Sequence, residues 1–147
     1  MKNLTIKILS GFFLFIGINL NAQESIISKN ELPQTAQKFI EDNFSKSSID
    51  YVKMDKETFS TDYKVKFTDG LEIEFDSKGE WMEVDGNKTI IPTGFIQKSI
   101  LAYVKEKFPN AQIVKIEKGR FGKQEVKLSN GLELEFNSKG EFKRIDD

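Results

Sequence analysis

Four glutamates stand where chemistry could be done: Glu72 with Glu74, and Glu133 with Glu135, each pair two residues apart and so on one face of an extended chain. Paired carboxylates at a suitable separation can hydrolyse glycosides. That reaction needs a cleft that desolvates one of them and lifts its pKa. Both pairs are interleaved with apolar residues and matched by nearby lysines, so a solvated, charge-balanced face is the simpler reading. The chain has neither His nor Cys, which removes the commonest general base, the commonest zinc ligand and all thiol chemistry. No Ser is followed three residues later by Lys, so a nucleophile would lack its usual base. Asp76-Ser77-Lys78-Gly79-Glu80 resembles a calcium loop only faintly, because it lacks the alternating acids and the distal Glu, and reads as a turn. No catalytic residue, metal site or cofactor is expected.

The remaining candidates are aromatic. Phe59 in Thr58-Phe59-Ser60-Thr61 and Phe121 in Gly119-Arg120-Phe121-Gly122 fall at corresponding hairpin tips, the second with Arg120 beside the ring. Exposed aromatics next to arginine anchor protein interfaces. Tyr51 and Trp81 complete the set of partner-binding candidates. The competing reading folds each ring back over its own hairpin.

These residues are positioned by a unit written twice. The run Gly70-Leu71-Glu72-Ile73-Glu74-Phe75-Asp76-Ser77-Lys78-Gly79-Glu80 returns at positions 131–141 with only Ile changed to Leu and Asp to Asn. Its alternation of Leu, Ile and Phe with Glu has the period of a half-buried strand. Just upstream, Tyr63, Val65 and Phe67 alternate with Lys64 and Lys66. Directly paired residues share a face, so Phe67 should oppose Leu71, Val65 oppose Ile73 and Tyr63 oppose Phe75, with Lys66 meeting Glu72 and Lys64 meeting Glu74. Thr68-Asp69-Gly70 is then a three-residue loop whose last position takes the left-handed backbone that suits Gly, and Asn130-Gly131 repeats it. After the turn at Asp76 to Gly79, the strand Glu80 to Val84 leaves two choices open. Pairing Phe75 with Trp81 puts the indole in the core, whereas turning Met82 and Val84 inward exposes it. A bulge would reconcile them.

Helices precede each set of strands. Leu32-Pro33 opens the first, with Ala36, Phe39, Ile40 and Phe44 at helical spacing. Ile91-Pro92 is read as the corresponding start of a second, longer helix carrying Ile96, Ile100, Leu101, Val104 and Phe108. Before the first helix, Ile26-Ile27 suggests a brief extended segment. Residues Ile49 to Lys56 read as a strand with Ile49 and Tyr51 on one face and Val52 and Met54 on the other. A lone repeat of about 55 residues buries about 60% of its unfolded surface and the two together about 68%. The expectation is therefore an α+β fold over 23–147. Two repeats, near 31–86 and 90–147, share one antiparallel sheet of about eight strands with both helices on one face.

Lys2 and Lys7, the apolar run Ile8 to Leu20 and the small-residue close Asn21-Ala22 have the form of a secretory signal peptide over 1–22, cut after Ala22. The run is shorter than the roughly 20 residues a membrane span needs and is interrupted by Gly11, Gly17 and Asn19. Cleavage takes two of the 22 basic residues and none of the 23 acids, so the mature chain carries 20 basic side chains and a net charge of −3. That balance argues against nucleic acid as a partner. No stable membrane insertion is expected after cleavage.

With the duplicated strand, Leu32-Pro33, Ile91-Pro92, Tyr103 to Pro109 and the leader together, the sequence resembles the PepSY-like family of small exported, beta-lactamase-inhibitor-like proteins common in Bacteroidetes. The resemblance covers nearly all of the mature chain. It implies a tandem helix-plus-four-strand fold like that of the beta-lactamase inhibitor protein and a periplasmic or secreted location. The inhibitor's disulfides have no counterpart here, because Cys is absent. Two functional classes follow: a non-catalytic binding or inhibitory module for a protein or peptide of the cell envelope, or a small-ligand carrier or enzyme with a pocket between helices and sheet. A structural envelope component is a third.

Overall fold

Alternating apolar residues closed by tight glycine loops generate hairpin after hairpin in the computed structural model, which describes residues 23–146. The leader and its cleavage site lie outside the described residues. Strand β1 (Gln23–Ile27) leads into α1 (Gln34–Phe44), and then come β2 (Ile49–Lys56), β3 (Thr61–Phe67), β4 (Glu72–Phe75) and β5 (Trp81–Asp85). The second copy consists of α2 (Lys98–Lys107), β6 (Ile113–Lys118), β7 (Gln124–Leu128), β8 (Glu133–Phe136) and β9 (Phe142–Asp146). The nine strands form one antiparallel sheet in chain order, β1 to β9. The strand beyond the expected eight is β1, which adds the Ile26-Ile27 segment to the free side of β2.

The hairpin register follows the pairing argument. Tyr63 faces Phe75, Val65 faces Ile73, Lys64 faces Glu74 and Lys66 faces Glu72. The Phe67 amide donates to the Leu71 carbonyl, and Gly70 takes φ +94°, as Gly131 does at +92°. Four bulges then set which side chains enter the core. Met82 is the extra residue opposite β4, so both Trp81 and Val84 point inward and Met82 is exposed. Lys143 does the same opposite β8. Asp50 and Val114 are the extra residues of β2 and β6. The bulge at Asp50 corrects the expected parity of β2: Ile49 joins Val52 on the core side, and Tyr51 lies on the polar face.

Both helices cover one face, and a single cluster fills the space between them and the sheet. Phe39 of α1 lies edge-on to Phe75 at 5.8 Å and stacks with Trp81 at 6.2 Å; Tyr103 of α2 repeats this with Phe136 at 5.6 Å and Phe142 at 4.5 Å. Equivalence is therefore set by Phe39 with Tyr103, which aligns Leu32-Pro33 with Ile96-Gln97 and not with Ile91-Pro92. Pro33 and Gln97 are the residues capping the two helices, and Gly79 and Gly140 press against those same starts. Residues Ile91 to Phe95 are instead a connecting segment, so α2 has 10 residues against 11 in α1 and is not the longer helix. Phe95 of that connection packs on Phe39, Phe44 and Trp81, which locks the link between copies into the first half of the core.

Candidate functional site

Residue-by-residue pairing lines up the polar side chains in rows across the face opposite the helices. One row runs Lys53, Lys64, Glu74, Glu83, Glu117, Glu125, Glu135, Arg144, each residue directly opposite the next from β2 to β9. Five glutamates thus stand side by side on five successive strands, with cations at both ends. Like charges directly opposite one another are destabilising. Cations from the row and its surroundings offset this: Lys64 is 2.7 Å from Glu74, and Lys115 is 3.0 Å from Glu83 and 3.7 Å from Glu117. Among the described residues, Glu125 forms no ion pair.

The protonation tendencies follow from those surroundings. Burial, with the charges of Glu74 and Glu117 adding to it, holds Glu83 above the ordinary carboxylate value against the pull of Lys115. The ammonium of Lys66 holds Glu72 below that value. Glu135 is only 6% exposed and is gripped by Lys123 at 2.9 Å and Arg144 at 3.0 Å. The Lys123 hydrogen bond, with Arg144 behind it, depresses its pKa. A wet face was expected for both glutamate pairs, and Glu135 is the exception. The sequence signal for it was Arg144, which the bulge at Lys143 brings opposite Glu135.

Between the copies, four positions of this face reverse charge: Lys53 against Glu117, Asp62 against Lys123, Lys64 against Glu125, and Glu83 against Arg144. The glutamate common to both, Glu74 or Glu135, stays paired in each. Its partner is the neighbouring Lys64 in the first copy and Lys123 with Arg144 in the second.

Of the aromatic candidates, Phe59 and Phe121 are 98% and 94% exposed, so neither ring folds back over its hairpin. Strands alternate in direction, which puts the β2–β3 and β6–β7 tips at the same end of the sheet. Four strand spacings separate them, about 19 Å. Phe121 has φ +59°, a left-handed conformation uncommon for a bulky side chain, and Arg120 beside it is exposed. Tyr51 is 38% exposed on the polar face near the β1 edge. Trp81 is not a free anchor. It is packed against Phe39 and Phe95, with the Lys118 ammonium 4.1 Å from its ring centre.

The Asp76 loop is a turn: its Oδ1 accepts the Lys78 and Glu80 amides at 2.9 Å, and Asn137 Oδ1 accepts those of Lys139 and Glu141 at 3.0 Å. Two carboxylate groupings have the oxygen-rich character that hard cations require. Glu125, Glu135 and Asp146 offer oxygens within 4.8 Å of one another, but Arg144 already pairs with Glu135 and Asp146. Asp55 and Asp62 face each other across β2 and β3 in a depression of about 220 Å³ that Glu74 also lines. Asp55 Oδ1 is buried with no hydrogen-bond partner among the described residues. Partial desolvation, then the charges of Asp55, Asp76 and Glu74, raise the pKa of Asp62. A larger depression, about 460 Å³, lies on the polar face over β6 to β8, bordered by Asp85 and Lys88 and floored by Val114. It is on the side away from the helices; on their side the core fills the middle of the interface, and a depression of about 390 Å³ lies at the C-terminal end of α1 between Phe44, Leu71 and Pro92.

A helix-plus-four-strand unit written twice into one antiparallel sheet, with a charged open face and aromatic hairpin tips, defines a class of small α+β proteins. The chain belongs to the PepSY-like family: the model described as "Putative beta-lactamase-inhibitor-like, PepSY-like" matches residues 18–66 and 61–144. Among solved structures, one from Bacteroides thetaiotaomicron, described as a "putative calcium-regulated periplasmic protein", is 40% identical with a TM-score of 0.80. The similarity spans 84% of this chain and 97% of that one. Two from Bacteroides vulgatus, each described as a "putative periplasmic protein", are 38% identical with TM-scores of 0.79 and 0.78. They cover 84% and 85% of this chain and 97% and 100% of their own. No curated protein matches the chain. Among the described residues no helix is long and apolar enough to cross a membrane.

Proposed function

We propose that the chain is a non-catalytic binding or inhibitory module of the periplasm, exported by its leader and holding a protein or peptide partner of the cell envelope. The observation that carries this reading is the pair of bare phenylalanine rings, Phe59 and Phe121, presented at one end of the sheet on equivalent hairpins. Rigid aromatics, one of them beside an arginine, supply much of the binding energy of interfaces. The lack of His and Cys supports the absence of catalysis. The test is capture from periplasmic extract of the native host with wild-type chain and a Phe59→Ala/Phe121→Ala double variant. A partner held by the wild type and lost by the variant is expected; equal recovery of every partner rejects the rings as anchors.

A second reading is favoured by the orphaned Asp55 oxygen. One of the similar structures is described as calcium-regulated, and Ca²⁺ binds through several oxygen ligands. An ion held by Asp55 and Asp62 would satisfy that oxygen and offset the mutual repulsion of the two carboxylates, while Glu74 at the rim stays with Lys64, which lines the depression together with Lys53. Thermal unfolding with Ca²⁺, Mg²⁺ or chelator decides it. Ca²⁺ should raise the Tm of the wild type and not of Asp62→Asn, and a wild-type Tm indifferent to Ca²⁺ excludes the reading.

A further inference from the structure

Strand β1 begins at Gln23, which pairs with Lys56 at the edge of the sheet while remaining exposed. The next residue, Glu24, is tied to Lys53 at 2.6 Å. A cut after Ala22 would make Gln23 the first residue of the mature chain, a glutamine with a free α-amine. We infer that residue 23 of the mature chain is closed to a pyroglutamyl lactam. The inference rests on the proposed export and on cleavage after Ala22.

The reaction needs nothing the chain does not hold. The α-amine attacks Cδ of its own side chain, the N–Cδ bond forms and the Cδ–Nε2 bond breaks. The departing nitrogen takes up the proton shed by the attacking amine and leaves as ammonia. An α-amine titrates near pH 8, so a useful fraction is unprotonated at neutral pH, and its tether to the electrophile replaces a bimolecular encounter. The fold leaves closure unhindered. Gln23 is exposed, and among the described residues its side chain makes no hydrogen bond that would hold it away from the backbone. Cyclisation removes the α-ammonium charge at the end of the edge strand while the lactam N–H can still donate. The product is an edge strand whose end offers no amine to an aminopeptidase.

The experiment is intact-mass measurement and N-terminal peptide sequencing by mass spectrometry on untagged full-length chain, expressed in an exporting host and recovered from the envelope fraction. The expected N-terminal peptide starts at residue 23, is lighter than the Gln23 peptide by one ammonia, and resists aminopeptidase. A Gln23→Ala variant cut at the same bond should carry a free amine, take an amine label and be trimmed. A peptide that starts with uncyclised Gln23 after prolonged incubation at neutral pH overturns the cyclisation and leaves export standing. A start at another residue overturns the cleavage position and the inference with it, and a retained leader overturns export itself.

Discussion

Replacing Ile116 with Ala tests whether the two copies fold as one body. Ile116 belongs to the second copy, is fully buried, and sits opposite Val84 in one of the three residue pairs through which β5 and β6 join the halves. At about 0.8 kcal/mol per methylene the deleted hydrocarbon is worth about 2.4 kcal/mol, and the cavity left behind brings the expected loss to about 2–5 kcal/mol. With a urea m-value of about 2 kcal/mol/M, the unfolding midpoint should fall by about 1–2.5 M. The chain's single tryptophan makes the test specific. Trp81 is in the first copy, stacked on Phe39, so its fluorescence reports that half, while far-UV circular dichroism reports both. A shared core requires the two probes to shift together by the same amount. A Trp81 midpoint left in place, beside a dichroism curve split into two transitions, would refute the shared core.

Other substitutions probe the turns, the charged face and the tips. Gly79→Ala should cost more than Gly140→Ala. Both impose the left-handed penalty of about 1–2 kcal/mol, but the new methyl at 79 meets Pro33 Cβ at 2.7 Å and the Ala36 backbone nitrogen at 2.9 Å, whereas at 140 its closest neighbours are the rotatable ends of Ser99 and Gln97, with Ser99 Cβ at 3.3 Å. Chemical denaturation ranks the two. Asp62→Asn should stabilise the neutral-pH chain by about 0.2–1 kcal/mol, nearer the lower end because Asp62 is open to solvent. Since the folded state raises the pKa of Asp62, the contribution of this one residue to stability should fall as pH climbs from the ordinary carboxylate value of 3.8 through the raised one. The advantage of the Asn variant over the wild type should widen across that window, and parallel pH profiles would contradict the assignment. Phe59→Ala and Phe121→Ala should each leave stability within about 0.5 kcal/mol, because neither ring is buried; a larger loss by thermal melt would show a structural role for the ring.

The hairpins were legible in the sequence because each carries strict alternation and a Gly loop that fixes its register, as Val65 opposite Ile73 shows. The bulges were not. One inserted residue reverses inside and outside for the rest of a strand, and whether Asp50 or Met82 is that residue depends on what the neighbouring strand and the helix can accept. The equivalence of Leu32-Pro33 with Ile91-Pro92 failed for a related reason. Similar dipeptides were matched by type, while the packing of Gly79 on Pro33 and of Gly140 on Gln97 and Ser99 decides which residues start the helices. Strand β1 was faint because Gln23 to Ile27 carries only two apolar residues, and its order comes from pairing with β2. The exposed tips at Phe59 and Phe121 were readable as positions but not as exposed, since folding back and standing free use the same residues. The glutamate row was invisible from single strands. It exists only once β4 to β8 are laid side by side.

That row also separates what the duplication kept from what it changed. Core positions match in kind across the copies, Val65 with Val126, Ile73 with Leu134, Phe75 with Phe136 and Trp81 with Phe142, and the bulges at Asp50 and Met82 recur at Val114 and Lys143. Such matching follows from close packing, which tolerates changes in hydrophobic identity far better than changes in volume or parity. The polar face is under no such constraint, and there the copies diverge by full reversals of charge at Lys53, Asp62, Lys64 and Glu83. Reversals that merely drifted would leave Glu74 or Glu135 stranded among acids. Instead each keeps a cation, from β3 in one copy and from the tip and last strand in the other. The two halves therefore present different electrostatic surfaces on one shared scaffold, and a partner lying across the face would meet them in a fixed order. This asymmetry, absent from the core, gives the open face a direction along which binding can be specific.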